Sequence, residues 1–261
     1  MKRKRLFVSM VAMVTVFALA IPAFAVKYGE PDTSPEMYPS VGMLAMLKTD
    51  GFFYVCSGTL IDADSVLTAG HCTVDSVAIW VNFLQTPIPF FASGAVAASD
   101  WATHPDYDDF ATFPDTSDIG VVNFPAGTFA AMTPVELADV DTLTELATAR
   151  GTKNTRFQIA GYGVQATNGQ GHLDVFLQQR YRGEVRLINL NSANNDGANV
   201  QVTAAPGTGG ALCFGDSGGP VLHEGAIVAV NSFVLNLECA GSGFAFRVDH
   251  ADIQAWIAAN T

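Results

Sequence analysis

The sequence predicts an all-β fold of barrel or sandwich type, and three observations carry that expectation. Short apolar runs recur along the chain, Gly, Asn, Asp and Pro cluster between them, and helical periodicity is confined mainly to the C-terminal end. The 261 residues suffice for one large domain or two small ones sharing a cleft. At 49% apolar and 15% charged the chain can fill a sizeable core, and its 24 glycines favour a turn-rich β protein.

Taken in order, the first 25 residues read as a secretory signal. Basic "MKRKR" is followed by the apolar run "LFVSMVAMVTVFALAI" and by "PAFA", a small-residue ending that puts the cut after Ala25. The run is 16 residues long and short for a membrane anchor, which needs roughly 20. The expected product is a secreted protein, extracellular or periplasmic, with no stable membrane insertion. From Val41 onward the strand candidates are "VGMLAML", "FFYVCSGTLI", "SVLTAG", "VAIWVNFL", "IGVVNF", "RFQIAGYGV", "DVFLQQRYRGEVRLI", "GPVLHEGAIVAVNSFVL" and "GFAFRV". The segment 136–154, "ELADVDTLTELATARGTKN", has mixed signals and reads as a linker between halves. "DHADIQAWIAAN", 249–260, reads as a helix with Asp249 as a candidate cap and Ile253, Trp256 and Ile257 on one face.

Charge narrows the partners. "MKRKR" holds four of the 13 basic residues, so the rest carries 9 against 25 acids, about −16. Such a surface argues against nucleic acid or anionic membranes as partners. Four cysteines in an exported chain suggest disulfides. Local pairing, Cys56 with Cys72 and Cys213 with Cys239, is one of three connectivities. A zinc site is disfavoured, since no C-x-x-C or H-x-x-x-H pair occurs.

The stretch "CFGDSGGPVL", 213–222, packs three glycines and a proline around Ser217. Glycine permits φ > 0 and close approach, so the neighbouring amides are bared. A base is needed beside it, and His71 in "VLTAGHC" is fixed at a strand end next to a cysteine. His104 and His172 lie in Asp- and Gly-rich loops and read as solvent-exposed. Asp118 enters an apolar strand, where a carboxylate is costly unless paired. Asp106, Asp108, Asp109 and Asp115 read as solvated.

Together, "LTAGHC", "SDIGVV", "GDSGGPV", "NSFV" and "GFAFRV" resemble the chymotrypsin-like (trypsin-like) serine protease family, in its His…Asp…Ser order and over essentially the whole mature chain. The resemblance implies two six-stranded Greek-key β-barrels with the active site in the cleft between them and a short C-terminal helix. It places the first barrel at about 26–140, the second at about 141–248 and the helix at about 249–259. It implies that His71 takes the Ser217 proton, that Asp118 orients and stabilises the imidazolium, and that the N–H groups of Gly215 and Ser217 receive the oxyanion. Both local disulfides match bridges usual in the family. The pocket floor falls six residues before the nucleophile, at Ala211, with Ser232, Val234 and Gly243 as further substrate-binding positions. No carboxylate stands at that floor, which implies a preference for small or medium apolar side chains; Glu238 is the residue that could fold inward and reverse it. Polypeptide substrates and protein protease inhibitors are the implied partners, with no cofactor, no metal and a monomeric chain.

Two other functions fit parts of the pattern. Gly215 to Gly219 also matches G-x-S-x-G, the elbow of serine esterases and lipases, but "GGP" followed by a strand cannot open the required helix, and only 44 residues remain. An inactive protease-fold binding protein is the other alternative, though all three triad candidates are present. Finally, "VKYGE" resembles the family's mature start: cleavage after Ala25 would free the Val26 amine to pair with Asp216.

Overall fold

The computed structural model describes residues 26–33, 36–149, 154–167 and 173–261, and the side chains of all these except 166, 167 and 173–175. The expected signal at 1–25 and His172 lie outside the described residues. In chain order the strands are β1 (Glu30–Pro31), β2 (Val41–Lys48), β3 (Phe53–Leu60), β4 (Ser65–Thr68), β5 (Ser76–Asn82), β6 (Val96–Ala97), β7 (Asp100–Thr103) and β8 (Gly120–Asn123). They continue with β9 (Arg156–Gly161), β10 (Ala166–Thr167), β11 (Leu173–Val175), β12 (Tyr181–Asn189), β13 (Asn199–Ala204), β14 (Pro220–His223), β15 (Ala226–Val234) and β16 (Gly241–Arg247). Three α-helices punctuate them: α1 (Gly70–Thr73), α2 (Thr142–Thr148) and α3 (Ala251–Ala259).

Apart from β10 and β11, which pair in a two-stranded hairpin of their own, the strands form two antiparallel barrels. The first sheet runs β6-β5-β2-β3-β4-β8-β7 and curls around Leu44, Met46, Leu60, Leu67, Ile79 and Val121. The second runs β12-β13-β16-β15-β14-β9 and closes through β9–β12 pairing, with Phe157, Ile159, Val185, Val202 and Val228 inside. Alternate side chains point to opposite faces of each strand, and in β2, β4, β15 and β16 most residues on both faces are buried. The disulfides are Cys56–Cys72, joining β3 to α1, and Cys213–Cys239, closing the two loops that flank β14 and β15.

Three features differ from the boundaries expected of the sequence. The N-terminal segment belongs to the second barrel, not the first: Val26 is buried in the second core, and β1 takes the stretch of the β12 edge at Tyr181–Arg182, with β13 pairing further along it. The 136–154 linker contains α2, because Leu143 is fully buried in the second core and its N–H is bonded to Asp249 Oδ2 at 2.7 Å. That bond, with Arg247 on Asp249 at 2.8 and 2.9 Å, occupies the carboxylate expected to cap α3; His250 stands at the cap without a side-chain capping bond, its Nε2 lying 3.2 Å from Gly197 O. Helix α3 then packs Ile253 and Ile257 on the first core, so each end of the chain is seated on the far barrel.

One buried cation ties these parts together. Arg180 has no exposed surface, and its guanidinium donates to Asp32 Oδ2 (2.9 Å), Val41 O and Phe83 O (3.0 Å each), the Tyr162 hydroxyl (3.1 Å) and Glu36. Its partners come from the N-terminal segment, the first barrel and the second. Removing one member of a buried ion pair leaves the other charged and unsolvated. Arg180→Met is therefore expected to cost about 3–5 kcal/mol of unfolding free energy, read as a lower denaturant midpoint, with Asp32→Asn partly relieving the defect in the double variant.

Candidate active site

The turn carrying Ser217 is built at the junction of the barrels. Ser57 on β3 donates its N–H to Ser217 O at 2.8 Å and its hydroxyl to Gly215 O at 2.9 Å. From the second barrel, Asn231 O on β15 receives the Gly218 N–H at 2.8 Å, and Asn231 N–H goes to Gly219 O at 2.9 Å. Gly218 adopts φ +82°, and a Cβ there would lie 2.0 Å from Thr68 Oγ1 and 2.2 Å from Ser57 O. No other residue fits that approach. The turn leaves the Gly215 and Ser217 amides without acceptors among the described residues.

His71 enters from the opposite side, on the one-turn helix α1, with a quarter of its side chain exposed. Its Nδ1 contacts Asp118 Oδ2 at 2.8 Å and Oδ1 at 3.1 Å, and its backbone N–H donates to Asp118 Oδ1 at 2.8 Å. Asp118 is wholly buried, just ahead of β8, and also accepts the Ser232 hydroxyl at 2.5 Å. Burial alone raises the carboxyl's proton affinity, but the charge and hydrogen bonds of His71 and the Ser232 bond outweigh it. The carboxyl is held below its ordinary value. With Nδ1 on the carboxylate, Nε2 is the nitrogen left for chemistry.

His71 and Ser217 line one cavity of about 350 Å³. Its wall is apolar: Leu212, Phe214, Val234 and a run of aromatic rings in which Phe110 meets Phe233 edge-on at 5.8 Å and Phe233 stacks on Phe244 at 4.7 Å. Phe110 also lies 6.2 Å from the His71 ring. Of the substrate-binding positions expected from the sequence, Val234 and Ser232 line this cavity. Ala211 and Gly243 do not. Ala211 is fully buried, and the wall is Leu212, which fills the space beside Gly243, where a Cβ would meet Leu212 Cδ1 at 2.9 Å. Ser232 spends its hydroxyl on Asp118. Glu238 turns outward, its carbonyl and carboxylate held by Lys27 (3.8 Å to Oε2). Its carboxylate is half exposed and lines no part of the cavity.

Sequence reasoning missed Tyr107, Phe110 and Leu212. The first two sit in an Asp-rich loop with no periodicity to reveal which aromatic turns inward. That loop is otherwise as expected, with Asp106, Asp108, Asp109 and Asp115 exposed, although Asp109 borders the cavity mouth. His104 is half-buried, contrary to expectation, because its ring packs on Trp256 at 5.0 Å. The one cluster of metal-type ligands among the described residues, Cys56, His71 and Cys72, has its two sulfurs joined and offers no thiolate.

Asp216 is the second buried carboxylate. It accepts N–H groups from Gly163 at 2.9 Å and Cys213 at 3.1 Å, and no cation lies against it among the described residues. With residues 1–25 still attached, the Val26 nitrogen is an amide and carries no charge.

A family model described as Trypsin matches residues 29–257. An alkaline trypsin C of Manduca sexta is 27% identical over 92% of this chain and 93% of its own. A collagenase of Hypoderma lineatum is 26% identical over 99% and 98%, and chymotrypsin-like elastase family member 1 of Felis catus is 30% identical over 81% and 80%. The solved structure of HL collagenase superposes with a TM-score of 0.69, covering 90% of this chain and 97% of that one at 19% identity, which shows the shared fold.

Burial pushes the Asp216 carboxyl up to about 7, with the Gly163 and Cys213 amides opposing only in part. Its folded value thus exceeds the unfolded one, near 3.9. The native state holds the extra proton across that window, so stability falls as pH rises from about 4 to 7. In a chain carrying two residues ahead of Val26, Asp216→Asn is expected to flatten this part of the stability profile, measured by denaturant unfolding at each pH. An unchanged slope would mean Asp216 is paired.

Proposed function

Because the chain belongs to the trypsin family of serine endopeptidases, we propose that it cleaves peptide bonds through Ser217, His71 and Asp118 after small or medium apolar residues, as an exported enzyme. The observation that carries the reading is the junction itself: an Asp118-held imidazole and Ser217 border one cavity, beside two uncommitted amides.

In this reading His71 Nε2 accepts the Ser217 proton as Oγ attacks the substrate carbonyl carbon. The carbonyl π electrons move onto oxygen, which the Gly215 and Ser217 N–H groups stabilise; one such donor is worth roughly 3 kcal/mol. Collapse of the tetrahedral adduct expels the amine, which takes the proton from His71 and leaves an acyl-Ser217. Water, deprotonated by His71, then releases the acid and restores the serine. Asp118 keeps the Nδ1–H tautomer throughout and balances the transient imidazolium.

The apolar cavity wall supports the specificity. Leu212 and Val234 shorten and narrow the space, and no carboxylate stands at its inner end, so an Arg or Lys side chain would be desolvated without a partner. Export is supported by the signal-like residues 1–25 and by the two disulfides. Release of the Val26 amine after signal removal would supply the cation that buried Asp216 lacks, coupling cleavage to the order of the Gly215–Ser217 turn. Lengthening the chain by two residues ahead of Val26 is the corresponding test, with equal activity of both forms overturning the pairing.

A phosphonate serine reagent is expected to label Ser217 stoichiometrically, and Ser217→Ala to lower kcat by at least ~10⁴-fold. Chromogenic peptides ending in Ala, Val, Leu, Phe and Arg rank the pocket, and a clear preference for Arg would overturn it. Since the base must be neutral to accept a proton, the rate is expected to fall in acid. Full activity at pH 4 would exclude His71 as base.

A further inference from the structure

Among the described residues, Lys48 is surrounded by carboxylates and bonds to none of them. It ends β2, where the register with β5 slips between Leu47 and Lys48, a bulge that re-aims the side chain. Asp50, Asp75, Asp109 and Asp118 all act on its charge, yet the ammonium donates to His71 O at 2.7 Å and Val74 O at 2.9 Å. The stem is half-buried, and the ammonium stands 5.6 Å from the centre of the Tyr54 ring, whose hydroxyl is held by Asp50 at 2.7 Å.

Those two carbonyls are the ones a helix of this kind leaves open. Helix α1 is four residues long and has no side-chain bond at its N-cap. A single turn does not hold itself in water, and its last carbonyls have no partner within the helix. Gly70 O and Cys72 O are satisfied locally, by Val74 N with Thr73 Oγ1 and by Ser76 Oγ. His71 O and Val74 O are satisfied by Lys48, a cation at the negative end of the turn. His71 is therefore gripped from both sides of its own peptide unit: N–H and Nδ1 by Asp118, C=O by Lys48.

We propose that Lys48 is a positioning residue for His71: its ammonium fixes the carbonyl side of the histidine-bearing turn and adds a positive charge that opposes the imidazolium. This rests on His71 being the general base. The groups facing His71 are Asp118 from the segment before β8, Lys48 from β2, and Asp109 and Tyr107 from the loop at the cavity mouth; Asp50 and Asp75 face Lys48. Asp118 favours the charged ring and Lys48 opposes it. Fixing the ring within a fraction of an ångström is what proton transfer from Ser217 demands, and a displacement of about 1 Å can cost on the order of 100-fold.

The experiment uses Lys48→Met, Lys48→Gln and Lys48→Arg in the full mature chain, with a short chromogenic peptide and with phosphonate labelling of Ser217. In Lys48→Met, kcat is expected to fall about 10-fold or more while KM stays within about 2-fold, and the acidic limb of the kcat/KM profile to move up by about half a pH unit. Lys48→Gln keeps a donor without the charge and should recover part of kcat with the limb still moved. Lys48→Arg keeps the charge and should hold the limb near its original place. Thermal midpoints are read on each variant, and if Lys48→Met fails to fold, the Gln and Arg pair decides. A Gln variant with an unmoved limb and undiminished kcat overturns the proposal. If the parent enzyme is neither labelled nor dependent on His71, the reading of the site fails instead, and the two failures are distinct.

Discussion

A carboxylate sealed from water must be saturated with donors, and Asp118 is the constraint around which this molecule is organised. An isolated charge in that position would cost several kcal/mol. Its donors come from different parts of the fold: the backbone and ring of His71 from the first barrel, the hydroxyl of Ser232 from the second. Satisfying one buried charge thus fixes the first barrel against the second at the floor of the cleft. The same bonds select the His71 tautomer. One geometric requirement thus serves both the docking of the barrels and the orientation of the imidazole.

Asp216 follows the opposite logic. It is equally buried but is met only by two backbone amides, so the environment favours its neutral form. Gly163 lies so close that a Cβ would come within 2.4 Å of the carboxyl carbon. The pocket is therefore shaped to the carboxyl and leaves its charge uncompensated, and the Ser217 turn rests directly on it. One buried acid is complete and holds the barrels together; the other is incomplete and sits beneath the turn that carries Ser217.

The fold class and the residues that meet at the junction of the barrels were legible because each leaves a local mark. Period-two apolar runs mark the strands, and Gly around Ser217 marks a turn that a side chain at Gly218 would block. What was not legible depends on contacts between distant residues. Helix α2 has no persuasive periodicity of its own and forms because Leu143 is drawn into the second core and capped by Asp249. Asp249 looked like a helix cap by position, yet Arg247 and Leu143 claim it. The sequence segment 174–188 reads as one strand, but β12 begins only at Tyr181, after Arg180 has turned into the buried network. The pocket floor was placed at Ala211 by counting along the chain; counting cannot show that the neighbouring Leu212 projects into the space beside Gly243.

The same distinction bears on where specificity resides. A pocket whose wall includes Leu212, Val234, Phe110, Phe214 and Phe233 selects by volume, and volume discrimination is modest, on the order of 10- to 200-fold per methylene. A pocket with a buried charge could reject the wrong side chain far more strongly, because the charge would be left unpaired. Here three charges near the site are committed elsewhere, Asp118 to His71, Glu238 to Lys27, and Lys48 to the carbonyls of the histidine turn, and exposed Asp109 stands at the cavity mouth. The committed charges therefore stand behind His71 and Ser217, and most of the cavity wall is apolar. Under the proposed cleavage, selectivity is set by how well a side chain fills the space beside Leu212.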